Sequence, residues 1–290
     1  MLTNNIFRLS TIALVTCWYG DYPWYFPYFI KSCFYNPTVD FIIITDNLTT
    51  IPLKPSNVKI VYNTLDNVKI LFSKKLGFEV KIDRPYKLCD LKPAYGFVFS
   101  DIIAKYDFWG HGDIDLVYGN IRNFMTQKRL EIYDLLSGRP DYTAGAFTLF
   151  KNNEKMNTLF MKSKDFKKVF SNSDIFCFDE CSFLFDELNA GHSVLDFPNH
   201  IQSMTYVVKK AMSENKINAF FDLIMIEGTP GKVEWNKGVV SYKGIFEAIC
   251  YHFVRFKRSC NVPKKLAEIP ESFYFTSKSI KTKGVLKTHP

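Results

Sequence analysis

Long apolar runs and paired cysteines are both missing from this chain. No stretch of the 290 residues approaches the roughly 18 to 20 apolar residues that a membrane-spanning helix needs. The apolar run at residues 11–17 lacks the basic leader and cleavage site of a secretory signal peptide. The seven cysteines are odd in number and scattered, without a Cys-x-x-Cys pair, so the sequence does not indicate a zinc site. We therefore expect a soluble cytoplasmic protein with reduced thiols.

Repeats and low-complexity tracts are also absent, and the body of the chain has no basic stripe. With 47% hydrophobic and 17% aromatic residues, the chain can bury a sizeable core. Its net charge of +8 is concentrated at one end, since residues 251–290 hold nine Lys or Arg against two Glu. This end indicates either peripheral contact with an anionic membrane surface or a solvated tail. The near-neutral body argues against a nucleic-acid partner.

Apolar, β-branched segments alternate with helix-like segments through the first half of the chain. The pattern predicts strands at residues 11–17, 41–45, 58–62 and 106–112 and helices at 24–35, 66–76 and 93–106. Such alternation indicates an α/β fold with a mostly parallel central sheet flanked by helices. Ligands bind such sheets beyond the carboxyl ends of the strands, so polar residues there are the first candidates for a site.

The second half is more elaborate. Helices are predicted near residues 121–136, 154–161 and 179–189, and strands at 142–150, 220–226, 232–235 and 239–242. Asn236-Lys237-Gly238 is typical of a hairpin turn. No linker precedes residue 276, so we expect one domain over residues 1–275 and a basic tail at 276–290.

Two carboxylates follow the last strand of the first half. In an extended segment Asp113 and Asp115 would project to one side, roughly 6–7 Å apart. Gly110, Gly112 and Gly119 leave room for a bulky ligand near the backbone. Carboxylate oxygens suit Mn²⁺ or Mg²⁺, which complete their shells with water and substrate phosphates. The alternative is an acidic turn after a strand.

Two segments together resemble a known group of proteins. Residues 87–96 (KLCDLKPAYG) and 108–119 (FWGHGDIDLVYG) are similar to segments of bacterial proteins from surface-polysaccharide gene clusters, which themselves resemble glycosyltransferases of the GT-A fold. The resemblance runs from about residue 11 to 258. It implies a GT-A-like, Rossmann-type sandwich with a nucleotide-binding half at about residues 1–120 and an acceptor-binding half at about 121–275.

The resemblance also implies an activity. A metal-dependent hexosyltransferase would move a sugar from a nucleotide-sugar donor, foremost a UDP-sugar, to a glycan or lipid-linked glycan acceptor of capsule or lipopolysaccharide synthesis. Mn²⁺ or Mg²⁺ would bridge the Asp-x-Asp motif to the diphosphate. The enzyme would be cytoplasmic, with its basic end against the inner membrane face.

The resemblance assigns metal ligands. Asp115 would bind the metal directly, and Asp113 would hold ribose hydroxyls or metal-bound water. His252, in an apolar run near the end of the domain, is the candidate third ligand, although a packed core histidine fits the same run. His111 would either orient a carboxylate of this pair or pack in the core.

Other donor-site roles follow the same resemblance. Lys92 would stabilise the departing diphosphate, the alternative being an ion pair with Asp90. Gly145 would let the backbone approach the donor sugar, or would serve strand packing. The nucleotide base and ribose are assigned to a pocket of Thr16, Trp18, Tyr19 and Asp46.

Asp179 and Glu180 are the two candidates for a catalytic base. An inverting transferase needs a carboxylate to deprotonate the acceptor hydroxyl, whereas a retaining one would use the donor phosphate. Asp179 could instead cap the helix predicted at residues 179–189. Two other functions fit the chain: a metal-dependent phosphohydrolase of nucleotides using the same acids, and a non-catalytic glycan- or membrane-binding module.

Overall fold

The computed structural model describes residues 8–263 and 268–282, and the strands in these ranges form three sheets. The strands, numbered in chain order, are β1 Ile12–Trp18, β2 Val39–Thr45, β3 Val58–Tyr62, β4 Phe108–Gly112, β5 Leu116–Tyr118, β6 Leu135–Ser137, β7 Phe147–Lys151, β8 Ala219–Phe220, β9 Met225–Ile226, β10 Val233–Asn236, β11 Val239–Tyr242, β12 Phe246–Ala248, β13 Cys250–His252, β14 Ser272–Phe275 and β15 Ile280–Thr282. The α-helices are α1 Phe26–Phe34, α2 Leu65–Leu76, α3 Leu88–Leu91, α4 Tyr95–Val98, α5 Ser100–Ile103, α6 Ile121–Phe124, α7 Gln127–Ile132, α8 Glu154–Asn157, α9 Phe166–Phe170, α10 Phe185–Asn189, α11 Met204–Ser213 and α12 Phe256–Ser259. Short 3-10 helices lie at Pro85–Lys87, Lys92–Ala94, Leu159–Lys162 and Val194–Asp196.

The largest sheet has seven strands in the order β3-β2-β1-β4-β7-β6-β8. β1 pairs in parallel with β2 and β4, and β2 pairs in parallel with β3. β7 runs antiparallel to β4 and β6, so the sheet is mixed. The predicted α/β fold is confirmed, and parallel pairing places the carboxyl ends of β1, β2 and β4 at one edge.

The sheet is buried on both faces, which is why its first strands are continuous apolar runs. Along β1, Ile12 and Leu14 enter one core, and Ala13 and Val15 enter the other. α1 packs in the first core, and α2 and α4 pack in the second. The two cores fix the sheet edge on which the acid pair lies.

Two smaller sheets accompany the seven-stranded sheet. One is antiparallel, in the order β12-β11-β10-β14-β15. In the other, β13 pairs antiparallel with β5 and parallel with β9. The register places His252 opposite Leu116, the residue after Asp115. Strand pairing therefore carries a histidine from the end of the domain to the acid pair.

Several predicted elements were wrong in their boundaries. The helix predicted at residues 93–106 is a succession of short helical segments from residue 85 to residue 103, and Pro93, which has no N–H to donate, lies in the first turn of one of them. The predicted helix at 121–136 is divided into α6 and α7, and the chain then enters β6. The strand predicted at 142–150 begins only at Phe147, since the N–H groups of Ala144 and Gly145 donate to side chains instead of a neighbouring strand.

The hairpin between β10 and β11 was predicted correctly. Asn236 pairs with Val239, and both turn residues are left-handed, with φ of 44° at Lys237 and 84° at Gly238. β15 pairs with β14, so residues 280–282 of the predicted tail belong to a sheet and residues 276–279 connect the two strands, whereas residues 283–290 lie outside the described residues. Each helix in the described ranges is too short or too polar to cross a bilayer.

Candidate functional site

The candidate site is built around the turn between β4 and β5. Asp113 and Asp115 lie on this turn and not in an extended strand as predicted. Three hydrogen bonds fix it: Thr16 Oγ1 donates to the Gly112 carbonyl at 2.7 Å, the Asp113 N–H donates to Ala146 O at 3.1 Å, and the Phe253 N–H donates to Asp115 O at 2.9 Å. The turn is therefore held by β1, by the segment before β7 and by the segment after β13.

Asp113, Asp115 and His252 converge at this turn. One ligand-type atom from each lies within 4.8 Å of the other two. His252 Nε2 is 3.5 Å from Asp115 Oδ2. Asp115 and His252 are buried, whereas the Asp113 side chain keeps 29% of its surface exposed. Two carboxylates and an imidazole at this spacing form a donor set suited to a divalent cation.

The second nitrogen of His252 is held by a carboxylate. Glu227 Oε1 lies 2.8 Å from His252 Nδ1, and Arg139 Nη1 donates to Glu227 Oε2 at 3.1 Å. Burial lowers the pKa of His252, but the contacts with Asp115 and Glu227 outweigh it and raise the pKa to about 10. Sequence reasoning missed Glu227, because only the pairing of β9 with β13 brings it to the site.

Two lysines meet the two acids. Lys92 Nζ donates to Asp113 Oδ1 at 2.6 Å, and Lys257 Nζ donates to Asp115 Oδ2 at 2.6 Å. Burial raises the pKa of Asp115, but His252 and Lys257 together hold it well below its ordinary value. Lys257 was not predicted, although it stands in the basic run five residues after His252.

Lys92 also links the acid turn to a second pair of carboxylates. Its ammonium donates to the Gly145 carbonyl at 2.9 Å and lies 3.7 Å from Asp179 Oδ2. The Gly145 N–H donates to Glu180 Oε1 at 2.9 Å. A Cβ at position 145 would collide with Asp179 Oδ2, so a larger residue there would displace the Asp179 carboxylate. His111 Nδ1 donates to the same carbonyl at 3.0 Å, and burial, followed by the Lys92 charge, lowers its pKa, which keeps the ring neutral.

The alternative interpretation, in which Asp179 caps a helix, is wrong. The helix there begins only at Phe185, and residues 178–183 form consecutive turns. Cys177, Ser182 and Phe183 have φ values of 51°, 53° and 70°. Left-handed non-glycine residues cost about 1–3 kcal/mol each, so the surrounding structure must impose this backbone. Burial raises the pKa of Asp179 well above its ordinary value.

One family model covers nearly all of this structure. The model describes a family of unknown function, DUF6625, and it matches residues 14–283. The chain belongs to DUF6625. No curated protein matches this DUF6625 chain.

A solved structure resembles this DUF6625 protein distantly. It is the galactosyltransferase LgtC in complex with donor and acceptor sugar analogs, at 10% sequence identity and a TM-score of 0.39. The match covers 74% of this chain and 75% of the other. The likeness is too low to support a fold or a function.

The four predicted pocket residues of this DUF6625 protein lie at the carboxyl ends of β1 and β2. Thr16 is buried and turned toward Gly112, so its hydroxyl serves the acid turn. Asp46 Oδ1 accepts the Gly20 N–H at 3.0 Å, and Trp18 Nε1 donates to Asp21 O at 3.1 Å. The buried Tyr19 hydroxyl has no hydrogen-bond partner among the described residues.

The structure thus brings most of the predicted site residues of this DUF6625 protein into one network. The connected residues are Lys92, Asp113, Asp115, Gly145, Asp179, Glu180 and His252. Thr16 joins them through the acid turn, whereas Trp18, Tyr19 and Asp46 lie at the ends of β1 and β2 without a hydrogen bond to this network within the described part of the chain. Asp90 does not pair with Lys92; its partner is Lys87.

Proposed function

We propose that this protein is a metal-dependent glycosyltransferase that uses a nucleotide-sugar donor. One observation carries the proposal: a donor set of two carboxylates and an imidazole, all within 4.8 Å, lies between two lysine ammonium groups at the edge of an α/β sheet. That combination suits a divalent ion together with a diphosphate. The resemblance of residues 87–96 and 108–119 to GT-A-like proteins supports the same activity.

The residues present fit a divalent metal. Asp113, Asp115 and His252 would hold it, and Glu227 fixes the orientation of the imidazole through its other nitrogen, as is common for metal-binding histidines. A bound divalent ion would act as a Lewis acid against the charge that develops on the departing diphosphate. The mixed oxygen and nitrogen donor set favours Mn²⁺ over Mg²⁺.

The two lysines would bind the diphosphate. Each ammonium group is hydrogen-bonded to an oxygen of a proposed metal ligand, so it already lies beside the place that the phosphates must occupy. Charge-assisted hydrogen bonds from Lys92 and Lys257 would strengthen as the leaving group gains charge. The half-exposed Lys257 side chain could move to meet the ligand, whereas the buried Lys92 is fixed by Gly145.

We further propose UDP as the nucleotide and Asp179 as the carboxylate that faces the reacting sugars. The free Tyr19 hydroxyl and the Asp46 carboxylate offer hydrogen bonds to a base and a ribose, and Trp18 offers a ring for stacking. Both Glu180 oxygens are occupied, by the Gly145 N–H and by the Cys177 thiol at 3.2 Å, so Glu180 holds the loop while Asp179 faces Lys92.

The proposed setting is bacterial surface-polysaccharide synthesis at the inner membrane face, with a glycan or lipid-linked acceptor. The segment resemblance supports the pathway class, and the basic residues of the chain end support peripheral contact with anionic lipid. Lys278 and Lys281 are exposed on the β14–β15 unit. A test of the tail should remove residues 283–290 and leave β15 in place.

Titration of UDP into the protein with Mn²⁺, and again with EDTA, tests the proposed function. We expect calorimetry to show binding at least about tenfold tighter with Mn²⁺, because the ion bridges carboxylates and diphosphate. GDP and CMP serve as controls for base selectivity. Binding that ignores EDTA would favour a binding module, and phosphate release from nucleotides without an acceptor would favour a phosphohydrolase.

Glu227→Gln should weaken metal binding by about 10- to 100-fold, because the charge that orients the imidazole of His252 is lost. Mn²⁺ affinity measured by electron paramagnetic resonance would show the change. Glu247→Gln, at an exposed carboxylate of β12, is the matched control and should bind Mn²⁺ like the wild type. Equal affinity in both variants would remove Glu227 from the site.

A further inference from the structure

A second charged pair lies under the candidate site and has no role in the activity described so far. Lys87 and Asp90 are both fully buried and joined at 2.9 Å. Lys87 Nζ also donates to Val169 O at 2.9 Å and to Asp174 O at 2.6 Å, so its three protons have three acceptors. A buried pair satisfied this completely is held in one geometry.

The Asp90 carboxylate binds the loop that leads to Asp179. Its Oδ1 accepts the Phe178 N–H at 2.8 Å, and its Oδ2 accepts the Phe176 N–H at 3.0 Å. These two N–H groups flank Cys177, whose φ of 51° is left-handed. Asp90 thus holds the backbone on both sides of a conformation that a cysteine rarely adopts.

The same short segment, residues 87–92, also contacts the acid turn. Lys92 follows Asp90 by two residues and donates to Asp113 and to the Gly145 carbonyl. Residues 87–92 therefore contact the acid turn through one side chain and the loop of Asp179 through two others. The distance between metal ligands and the sugar-facing carboxylate is set by this segment.

We infer that Lys87 and Asp90 are positioning residues that fix the left-handed turn at Cys177 and thereby aim Asp179 toward Lys92 and Gly145. The consequence for the reaction rests on the proposed function. The loop itself is a property of the folded chain and can be measured without substrate. Neither residue touches the metal ligands, so binding of nucleotide should be spared when the pair is altered.

Amide hydrogen exchange of Asp90→Asn tests the inference. An asparagine offers one acceptor oxygen and loses the charge, so we expect amides of residues 174–183 to exchange about 10- to 100-fold faster. Amides of β4 and β5 should stay within about twofold of the wild type, as should the affinity for UDP with Mn²⁺. Turnover should fall about 10- to 100-fold if Asp179 faces the sugars.

A glycine at position 177 separates positioning from general destabilisation. Glycine adopts φ of 51° without strain, although it lacks the thiol bond to Glu180, so Asp90→Asn should raise loop exchange by a smaller factor in a Cys177→Gly background than in the wild type. Asn57→Ala is the matched control: it removes three buried hydrogen bonds, to Cys33, Asn36 and Val39, far from the loop. It should leave exchange at 174–183 and turnover unchanged.

The outcomes separate the two proposals. Uniformly faster exchange along the chain, unchanged exchange in the loop, or an equally large effect of Asp90→Asn in the Cys177→Gly background would overturn the positioning role. If the wild-type protein does not bind UDP, the proposed function is overturned, whereas the exchange result still stands. If Asp90→Asn does not fold, the double variant Asp90→Asn with Lys87→Met, which leaves no unpaired charge buried and still takes one acceptor oxygen from the loop, is measured in its place with the same expectations.

Discussion

Asp115→Asn is expected to lower sugar transfer by about 10²- to 10⁴-fold and to abolish the Mn²⁺ dependence of UDP binding. Asp115 is the buried member of the acid pair and contacts both His252 and Lys257. An amide keeps the size of the side chain but loses the charge that a divalent ion needs. Calorimetry with UDP and a donor-turnover assay measure the two effects.

Asparagine is preferred to alanine at this position for a physical reason. Either substitution removes the negative charge beside His252 and Lys257, but alanine would also leave an empty space there, whereas asparagine fills it and keeps an oxygen that can accept a hydrogen bond. Asp113→Asn is the internal comparison, and we expect a smaller loss because its side chain is more exposed. A folded Asp115→Asn protein that binds UDP and Mn²⁺ like the wild type would reduce the acid pair to a structural turn.

Asp179→Asn is expected to lower sugar transfer by about 10²- to 10⁴-fold while UDP affinity stays within about twofold. Asp179 lies beyond Lys92 from the acid turn and is not among the ligand atoms that converge there. Glu180→Gln should lower the rate of sugar transfer less, since the neutral amide oxygen can still accept the Gly145 N–H. Initial rates with saturating donor, together with UDP titrations, give the comparison.

The anomeric configuration of the product separates the two roles open to Asp179. Inversion would make Asp179 the base that takes the acceptor proton. Retention would leave that proton to the donor phosphate and make Asp179 a group that binds sugar hydroxyls, in which case the donor KM should rise with the substitution. Loss of UDP affinity equal to the loss of rate would instead make Asp179 a counter-charge for Lys92.

Local patterns predicted the sheet and the acid pair for clear reasons. β1 and β2 are mostly apolar because both faces of the sheet are buried around them, and their boundaries could be read closely from that pattern. The β10–β11 hairpin followed from Lys237-Gly238, whose residues both need φ above zero. Each of these features is encoded within a few neighbouring residues.

Features that depend on distant pairing could not be predicted in this way. Glu227 and Lys257 meet the site only because β13 pairs with β5 and β9. The turns at residues 177–183 contain three left-handed residues and no glycine, so composition suggested a helix there. The Lys87–Asp90 pair bonds to residues more than 80 positions away, and the sequence alone suggested Lys92 and not Lys87 as the partner of Asp90.

The lysines and the imidazole give the acid turn its own counter-ions. Asp113 has Lys92, and Asp115 has Lys257 and His252, so the folded chain does not depend on an ion for electroneutrality at this edge of the sheet. Small zinc domains behave differently, since they unfold when chelated. Here an ion arriving alone must compete with ammonium groups for the same oxygens, whereas an ion arriving with a diphosphate offers those groups a new anion. Under the proposed function, uptake of metal and of nucleotide is therefore positively linked, and neither governs whether the protein is folded.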